Sequence, residues 1–539
     1  MCRPPLFPRT DHGLPSQDCL DPGPFALEVD PEQDWKAKEI KIFSFARPHM
    51  RAFHCSWWSQ CMANFIWFSI VPLLPAMKDS LGLTSRQIWI SNIVAVSSSI
   101  VMRSIFGSLT DKYGSRLLMG ILLMAISIPA ACTGLVNSFA GLCILRFVIG
   151  FAGSSFVMCQ SWTTRMFANE IVGTANALSA GWGGLGAFNQ VIIGTLLFPL
   201  FRDVVFTNAD DPTEKAWRVV FVIPAIVTFL TGAVIIRKSD DSPRGNYKDL
   251  IKERVMRRSS SLSSLREGAI DCNSWLLFIQ YGCCFGVELT MFSATAIYFI
   301  DRFGLGIGSA SAITSIFGIL NLFAQALGGY LSDRANRKYG MRGRVWLQLA
   351  LLVSQGICII LFAFMNSMWS AIAVLLIMSI LTISAQGSTF GIVPYVSKSS
   401  SGSVVGVVGS GGPSFGVLFG FGFVFFDDIK HAYFLMAGLV IFLGTTSTLL
   451  INIRDHGGIF HKPCVPEDKS TQDSLESIIE ELYEIEFDIE EAELEGEKTQ
   501  DSLESVIEFD IEEENRRQNY LGKEADQIEV NNKENEVVN

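Results

Sequence analysis

Apolar residues in this chain gather into runs of about 20, the length that crosses about 30 Å of hydrocarbon. Twelve runs are found, at residues 54–76, 88–110, 117–137, 139–163, 174–200, 217–236, 274–300, 309–331, 345–365, 368–396, 403–426 and 431–452. Each predicts a membrane-spanning helix, and the longer ones require tilt or a break. One connection is long: residues 237–273, charged and serine-rich, which divides the runs six and six. The pattern predicts an all-α membrane protein of twelve transmembrane helices in two six-helix bundles, 54–236 and 274–452. Around them lie an N-terminal segment 1–53, the central loop 237–273 and a tail 453–539.

Composition agrees with that reading. Only 18% of the 539 residues are charged, against about 25% in soluble domains. The net charge of −11 conceals two regions: residues 454–539 hold 27 acids to 8 bases, and the rest of the chain 26 acids to 34 bases. The twelve cysteines lack zinc spacing, and eight lie in apolar stretches, so they read as small buried hydrophobes. No nucleophile–base set or metal-ligand cluster is present, so neither an enzyme, a cofactor, a metal nor a nucleic-acid partner is expected. The first 50 residues lack the apolar core of a signal peptide, which leaves insertion to the first span. With the N-terminus inside, inner connections carry 18 Lys and Arg and outer ones six, predicting that both termini are cytoplasmic.

A repeated element supports the six-plus-six division. Gly107-Ser-Leu-Thr-Asp111-Lys, with Arg116 following, returns as Gly329-Tyr-Leu-Ser-Asp333-Arg334 at the equivalent place in the second half. Halves related by an axis along the membrane normal are a transporter architecture, with substrate held between them at mid-membrane. Each aspartate falls near a helix end, where following bases or neighbouring helix termini can pair with it. Gly107, Asp111, Arg116, Gly329, Asp333 and Arg334 are therefore expected to form a conformational latch, against the alternative of ordinary charged loops.

Ionisable residues inside a span are costly and tend to mark function. Away from the helix ends there are three: Arg103, Arg146 and Glu288. A guanidinium at position 103 facing a cavity would present a planar fork of donors to a small oxyanion; the alternative is a buried pair with Glu288 or a snorkelling head. Arg146 reads as structural. Glu288 is a candidate proton carrier or a fixed counter-ion to Arg103. Glycine is dense at Gly181-Trp-Gly183-Gly184 and at Gly409-Ser-Gly411-Gly412-Pro413. These stretches either pack helices closely or, where a helix is broken, line an anion site with backbone amides. Trp57, Trp58, Phe65, Trp67 and Phe68 could wall the cavity, face lipid or fill the core.

Several blocks carry a family resemblance: Pro48-His-Met-Arg-Ala-Phe-His54, the Gly107–Arg116 element, Arg146-Phe-Val-Ile-Gly150, Cys159-Gln-Ser-Trp162, Ala180-Gly-Trp-Gly183, Tyr281-Gly-Cys-Cys-Phe-Gly-Val-Glu-Leu-Thr290, Gly340-Met-Arg-Gly-Arg344 and Phe390-Gly-Ile-Val-Pro394. Over about residues 48–425 the chain resembles the high-affinity nitrate transporters of plants, algae and fungi, in the nitrate/nitrite porter branch of the major facilitator superfamily. The resemblance implies an alternating-access symporter importing nitrate, or nitrite, with protons, in the plasma membrane or alternatively the vacuolar membrane. It places the substrate-binding arginine of the second span on Arg103. It places the second binding arginine on Gln325, and two site asparagines on Gly184 and Pro413. The implied substrate site is Arg103, Gln325, Gly183, Gly184, Gly411 and Gly412. The alternatives are a carrier of another small anion, or a nitrate sensor of the same fold that does not transport. In the tail, Thr471-Gln-Asp-Ser-Leu-Glu-Ser477 recurs at 499–505. The tail reads as solvated and disordered, or as a regulatory segment that binds a partner. Arg257-Arg258-Ser259-Ser260-Ser261 is a phosphorylation candidate.

Overall fold

The computed structural model describes residues 25–460, apart from 189–191, 253–260, 306–312, 314–315, 398–400, 427 and 454–455. The acidic tail with its repeat and the Arg257–Ser260 run lie outside the described residues, as do Cys2, Cys19 and Cys464. Among the described residues the chain makes twelve helical passes. The first six are α1 (His49–Phe68), α2 (Ser85–Tyr113), α3 (Ser115–Ala131), α4 (Phe139–Met166, tightened to a 3-10 turn at Gly150–Ser154), α5 (Val172–Gly184) and α6 (Val222–Lys238). The second six are α7 (272–303, with a π turn at Gly282–Gly286), α8 (Ile316–Tyr339), α9 (Met341–Ala363), α10 (Met368–Ile392), α11 (Ser401–Phe425) and α12 (Ile429–Leu450).

Nine helices among the described residues are long and apolar enough to cross a membrane. The passes that fall short are α1, α5 and α8. Before position 189, α5 gives way to a 3-10 turn, and π turns follow from Ile192. In α1 and α8 the buried polar side chains Gln60, Asn321 and Gln325 lower the mean hydropathy.

The apolar runs misplace several ends. The 54–76 run is not one helix: α1 stops at Phe68 and a separate helix covers Leu74–Leu81, because Pro72 and Pro75 lack the N–H that would continue the ladder. The Gly107 and Gly329 elements are not loops after their spans. They form the last turns of α2 and α8, which stop at Gly114 (φ +83°) and Gly340 (φ +63°), in a region only glycine enters readily. Among the described residues of the central connection lie two short helices, Tyr247–Lys252 and Ser261–Ile270.

Two hydrophobic cores form, one around Met119, Leu123, Trp162 and Trp217, the other around Phe299, Leu352, Phe362 and Tyr433. Large apolar side chains such as Ile144 (68% exposed) and Phe442 (66%) face outward, as lipid-contacting surface requires. Across the midline α2 packs on α11, and α5 packs on α8 and α10. Gly107 lies against the Gly402 carbonyl and Gly406, and Gly329 against the Gly173 carbonyl, so a Cβ at either position would strike backbone.

Candidate functional site

Between the two cores lies a cavity lined by residues of both halves. Arg103 enters it from α2, Gln60 and Asn64 from α1, Gly184 from α5, Tyr281 and Glu288 from α7, Asn321 and Gln325 from α8, and Gln386 from α10. Trp67, Phe68, Phe156, Phe285 and Phe292 supply the apolar wall. Of the residues singled out in the sequence, Arg103, Gln325, Gly184, Glu288, Trp67 and Phe68 line this space.

Arg103 is 2% exposed and is held from three directions. Its Nε donates to the Gly153 carbonyl at 3.0 Å, and Nη1 donates to the Gly409 carbonyl. The guanidinium carbon lies 5.2 Å from the Phe156 ring and 5.5 Å from the Phe285 ring. The Gly409 bond follows from a substitution visible in the sequence. Residue i+4 of a helix normally donates to carbonyl i, but here that residue is Pro413, which has no N–H. The freed carbonyl of Gly409 takes the arginine instead. Among the described residues, no ion pair joins Arg103 to any carboxylate, Glu288 included.

Glu288 has other partners. Its carboxylate accepts from Asn321 Nδ2 at 2.7 Å and Gln386 Nε2 at 2.5 Å, and the residue is 2% exposed. Both contacts are donated to it, so a protonated Glu288 needs one amide to turn its oxygen inward. The cavity therefore holds one cation fixed by carbonyls and one carboxylate fixed by amides, with neutral amides between them. Gln325, 3% exposed, adds hydrogen-bonding capacity without charge.

The remaining sequence candidates fall elsewhere. Gly183, Gly411 and Gly412 do not line the cavity. Gly183 packs on the Gln60 side chain, and its carbonyl accepts from Asn64 Nδ2 at 3.1 Å. Gly411 lies against the Phe278 backbone and Gly412 against the Phe285 ring, while α11 passes through Pro413 unbroken. These glycines let α7 and α11 approach rather than offering amides to a ligand. Arg146 donates to Ser91 Oγ at 2.7 Å, away from the cavity. Trp57 donates to His54 Nδ1, and Trp58 is 42% exposed. Gln60, Asn64, Asn321 and Gln386 do not stand out in the sequence, and Tyr281 enters there only as the first residue of a family block, although Gln60/Asn64, Asn321/Gln325 and Phe285/Glu288 stand at the four-residue and three-residue spacings that share a helix face.

At one end of the bundles the two aspartates close a matched pair of contacts. Asp111 on α2 accepts from the Gly402 and Ser403 amides at 2.9 Å each, the first turn of α11, and pairs with Arg165 at 2.9 Å. Asp333 on α8 accepts from the Gly173 and Thr174 amides at 3.2 and 2.6 Å, the first turn of α5, and pairs with Arg344 at 2.8 Å. Each carboxylate thus caps a helix of the opposite half, where orphan amides and the helix dipole favour an anion. The bases that follow the aspartates are not the partners. Arg116 pairs with Asp241 at 3.3 Å and donates to the Ile236 carbonyl within its own half. Arg334 is exposed and, among the described residues, donates to the Tyr330 hydroxyl at 3.3 Å. Asp241 lies beyond the end of α6; burial pushes its carboxyl above the ordinary range, and Arg116 opposes the shift.

Twelve helical passes in two pseudo-equivalent halves, with a charged cavity between them, define a multi-pass membrane transporter. Residues 56–421 match the description "Major Facilitator Superfamily", and the chain belongs to that family. It is related to the plant and algal high-affinity nitrate transporters. It is 33% identical to the high affinity nitrate transporter 2.5 of Arabidopsis thaliana over 475 residues, covering 88% of this chain and 91% of that one. It is 35% identical to the nitrate transporter 2.1 of Chlamydomonas reinhardtii over 396 residues, covering 73% and 72%. Among solved structures, the proton:xylose symporter XylE matches with TM-score 0.54 at 12% identity, over 73% of this chain and 94% of that one. The human organic anion transporter MFSD10 matches with TM-score 0.51 at 14% identity, over 74% and 99%. At such identities the likeness is one of fold.

Proposed function

We propose that this chain imports nitrate, or nitrite, with protons by alternating access of two bundles, 54–236 and 274–452, around the cavity. The observation that carries the reading is Arg103: a buried guanidinium on the cavity wall, held by carbonyls and aromatic faces and without a carboxylate partner among the described residues. Such a group retains its full charge for a ligand, and its planar fork suits a planar oxyanion. The names of the relatives supply the substrate. Glu288 is the proton-coupling group: ionised, it offsets the single arginine, and protonated, it leaves the cavity net positive. Asp111 and Asp333, with Gly107 and Gly329, gate one end, which we assign to the cytoplasm together with both termini. The membrane is the plasma membrane.

A second reading, transport of another small anion, is favoured by one feature. Gln325 stands in the cavity where the resemblance calls for a second arginine. Tracer or electrical flux in a host lacking its own nitrate uptake tests both. Saturable nitrate entry supports the proposal. Entry of another anion in preference to nitrate supports the second reading, and absence of any flux from correctly inserted protein leaves a sensor role.

A further inference from the structure

The two latches differ in one hydroxyl. Beside the Asp333 carboxylate, Thr174 of the capped helix donates both its amide and its Oγ1 to Oδ2, each at 2.6 Å. The equivalent residue on the other capped helix is Ser403, which follows Gly402 as Thr174 follows Gly173. Its amide bonds Asp111 at 2.9 Å. Its hydroxyl does not: Ser403 is fully buried, and among the described residues its Oγ has no hydrogen-bond partner. The hydroxyl that bonds Asp111 Oδ2, at 2.6 Å, belongs to Ser264, on the helix Ser261–Ile270 of the central connection. That helix packs on α2 and α11, and Gly268 meets Ser403 so closely that a Cβ there would lie 2.6 Å from Ser403 Oγ and 3.0 Å from the Ser403 backbone carbonyl carbon.

We propose that Ser264 is a gating residue: it occupies the hydroxyl position at Asp111 that Ser403 takes when the Ser261–Ile270 helix lifts away. The inference rests on the latch role of Asp111 proposed above and extends it to the segment joining the two halves. A buried hydroxyl without a partner is costly, so Ser403 is poised to turn onto the carboxylate as Thr174 does. The latch then has two grades of closure, one with the connecting helix docked and one without, and neither leaves Asp111 short of a hydroxyl donor. Anything that pulls on the central connection changes the packing over α11 before it opens the gate.

Hydrogen exchange of the Gly402 and Ser403 amides in the full-length protein, in nanodiscs, reads the latch directly. Asp111→Asn must speed that exchange; if it does not, the latch reading itself fails and this inference falls with it. With the latch reading upheld, Ser403→Ala is expected to exchange like the parent. Ser264→Ala is expected to speed exchange by no more than about threefold, and Ser264→Ala/Ser403→Ala by roughly tenfold or more, the loss of a hydrogen bond to a charged group. Gly268→Ala, which pushes the helix off Ser403, provides a second route: it should resemble Ser264→Ala alone and, combined with Ser403→Ala, the double variant. Ser264→Thr should restore parental exchange. A double variant no faster than Ser264→Ala, or a full effect from Ser264→Ala alone, overturns the proposal.

Discussion

Replacing Asp333 by asparagine tests the latch where its energetics are most fully specified. Asp333 is 2% exposed and Arg344 is 0% exposed. The carboxylate accepts four bonds: two from the α5 amides, one from Thr174 Oγ1 and one from Arg344 Nη1. Arg344 also donates to Ser332 Oγ at 3.0 Å and lies 5.2 Å from the Tyr395 ring, so it cannot turn to solvent without leaving that packing. The asparagine of Asp333→Asn would keep one acceptor oxygen and point its amide at groups that are themselves donors. It would also strand Arg344 as a buried, uncompensated charge. Removing one member of a buried pair costs about 3–5 kcal/mol. If the open form is spared that cost, even about 3 kcal/mol raises its share roughly 150-fold. The assay is exchange of the Gly173 and Thr174 amides in the full-length protein, paired with transport turnover. Exchange should quicken by roughly two orders of magnitude and turnover should fall. Exchange within about threefold of the parent would refute the reasoning, since the two bonds of one carboxylate oxygen and the compensation of a buried charge cannot be lost so cheaply.

Three further outcomes follow from the cavity. Arg103→Lys keeps the charge but offers one nitrogen where two carbonyls and two rings were satisfied, so anion affinity should fall by about tenfold to a hundredfold; parental affinity in a flux assay contradicts this. Gln325→Arg should tighten anion binding and slow release, read as a lower KM with reduced maximal flux, and unchanged values would place Gln325 outside the substrate path. Pro413→Ala restores the N–H that competes for the Gly409 carbonyl and so loosens Arg103; KM should rise severalfold with the protein still fully inserted, and an unchanged KM shows that the freed carbonyl does not position the arginine.

Much of the architecture is legible in hydropathy, because a span in lipid must be apolar over a fixed length and ionisable intruders stand out. Arg103, Glu288 and Gln325 emerge in that way or through the family motifs, and all three line the cavity. What hydropathy hides is direction. Gln60, Asn64, Asn321 and Gln386 are neutral and scattered in apolar sequence, and only their spacing along a helix hints that they face one space. Glycine runs are ambiguous for a related reason: Gly184 borders the cavity, yet Gly411 and Gly412 meet Phe278 and Phe285, and both uses of glycine look alike in sequence. The latch shows the limit most clearly. The aspartates can be read from their repeat, but their partners Arg165 and Arg344 come from other helices, and the adjacent Arg116 and Arg334 bond elsewhere.

The central claim is that a small anion bound at Arg103 moves together with a proton, and purified protein in liposomes tests it directly. Labelled nitrate is added outside while internal pH is followed. The account predicts that nitrate entry is accompanied by internal acidification in fixed proportion, and that Arg103→Ala abolishes both. It also predicts that Glu288→Gln weakens acidification and accumulation more than nitrate binding, because that variant mimics the protonated carboxyl yet has no proton to release, which removes the reciprocal coupling. Nitrate entry without acidification, or undiminished entry through correctly inserted Arg103→Ala protein, would contradict it.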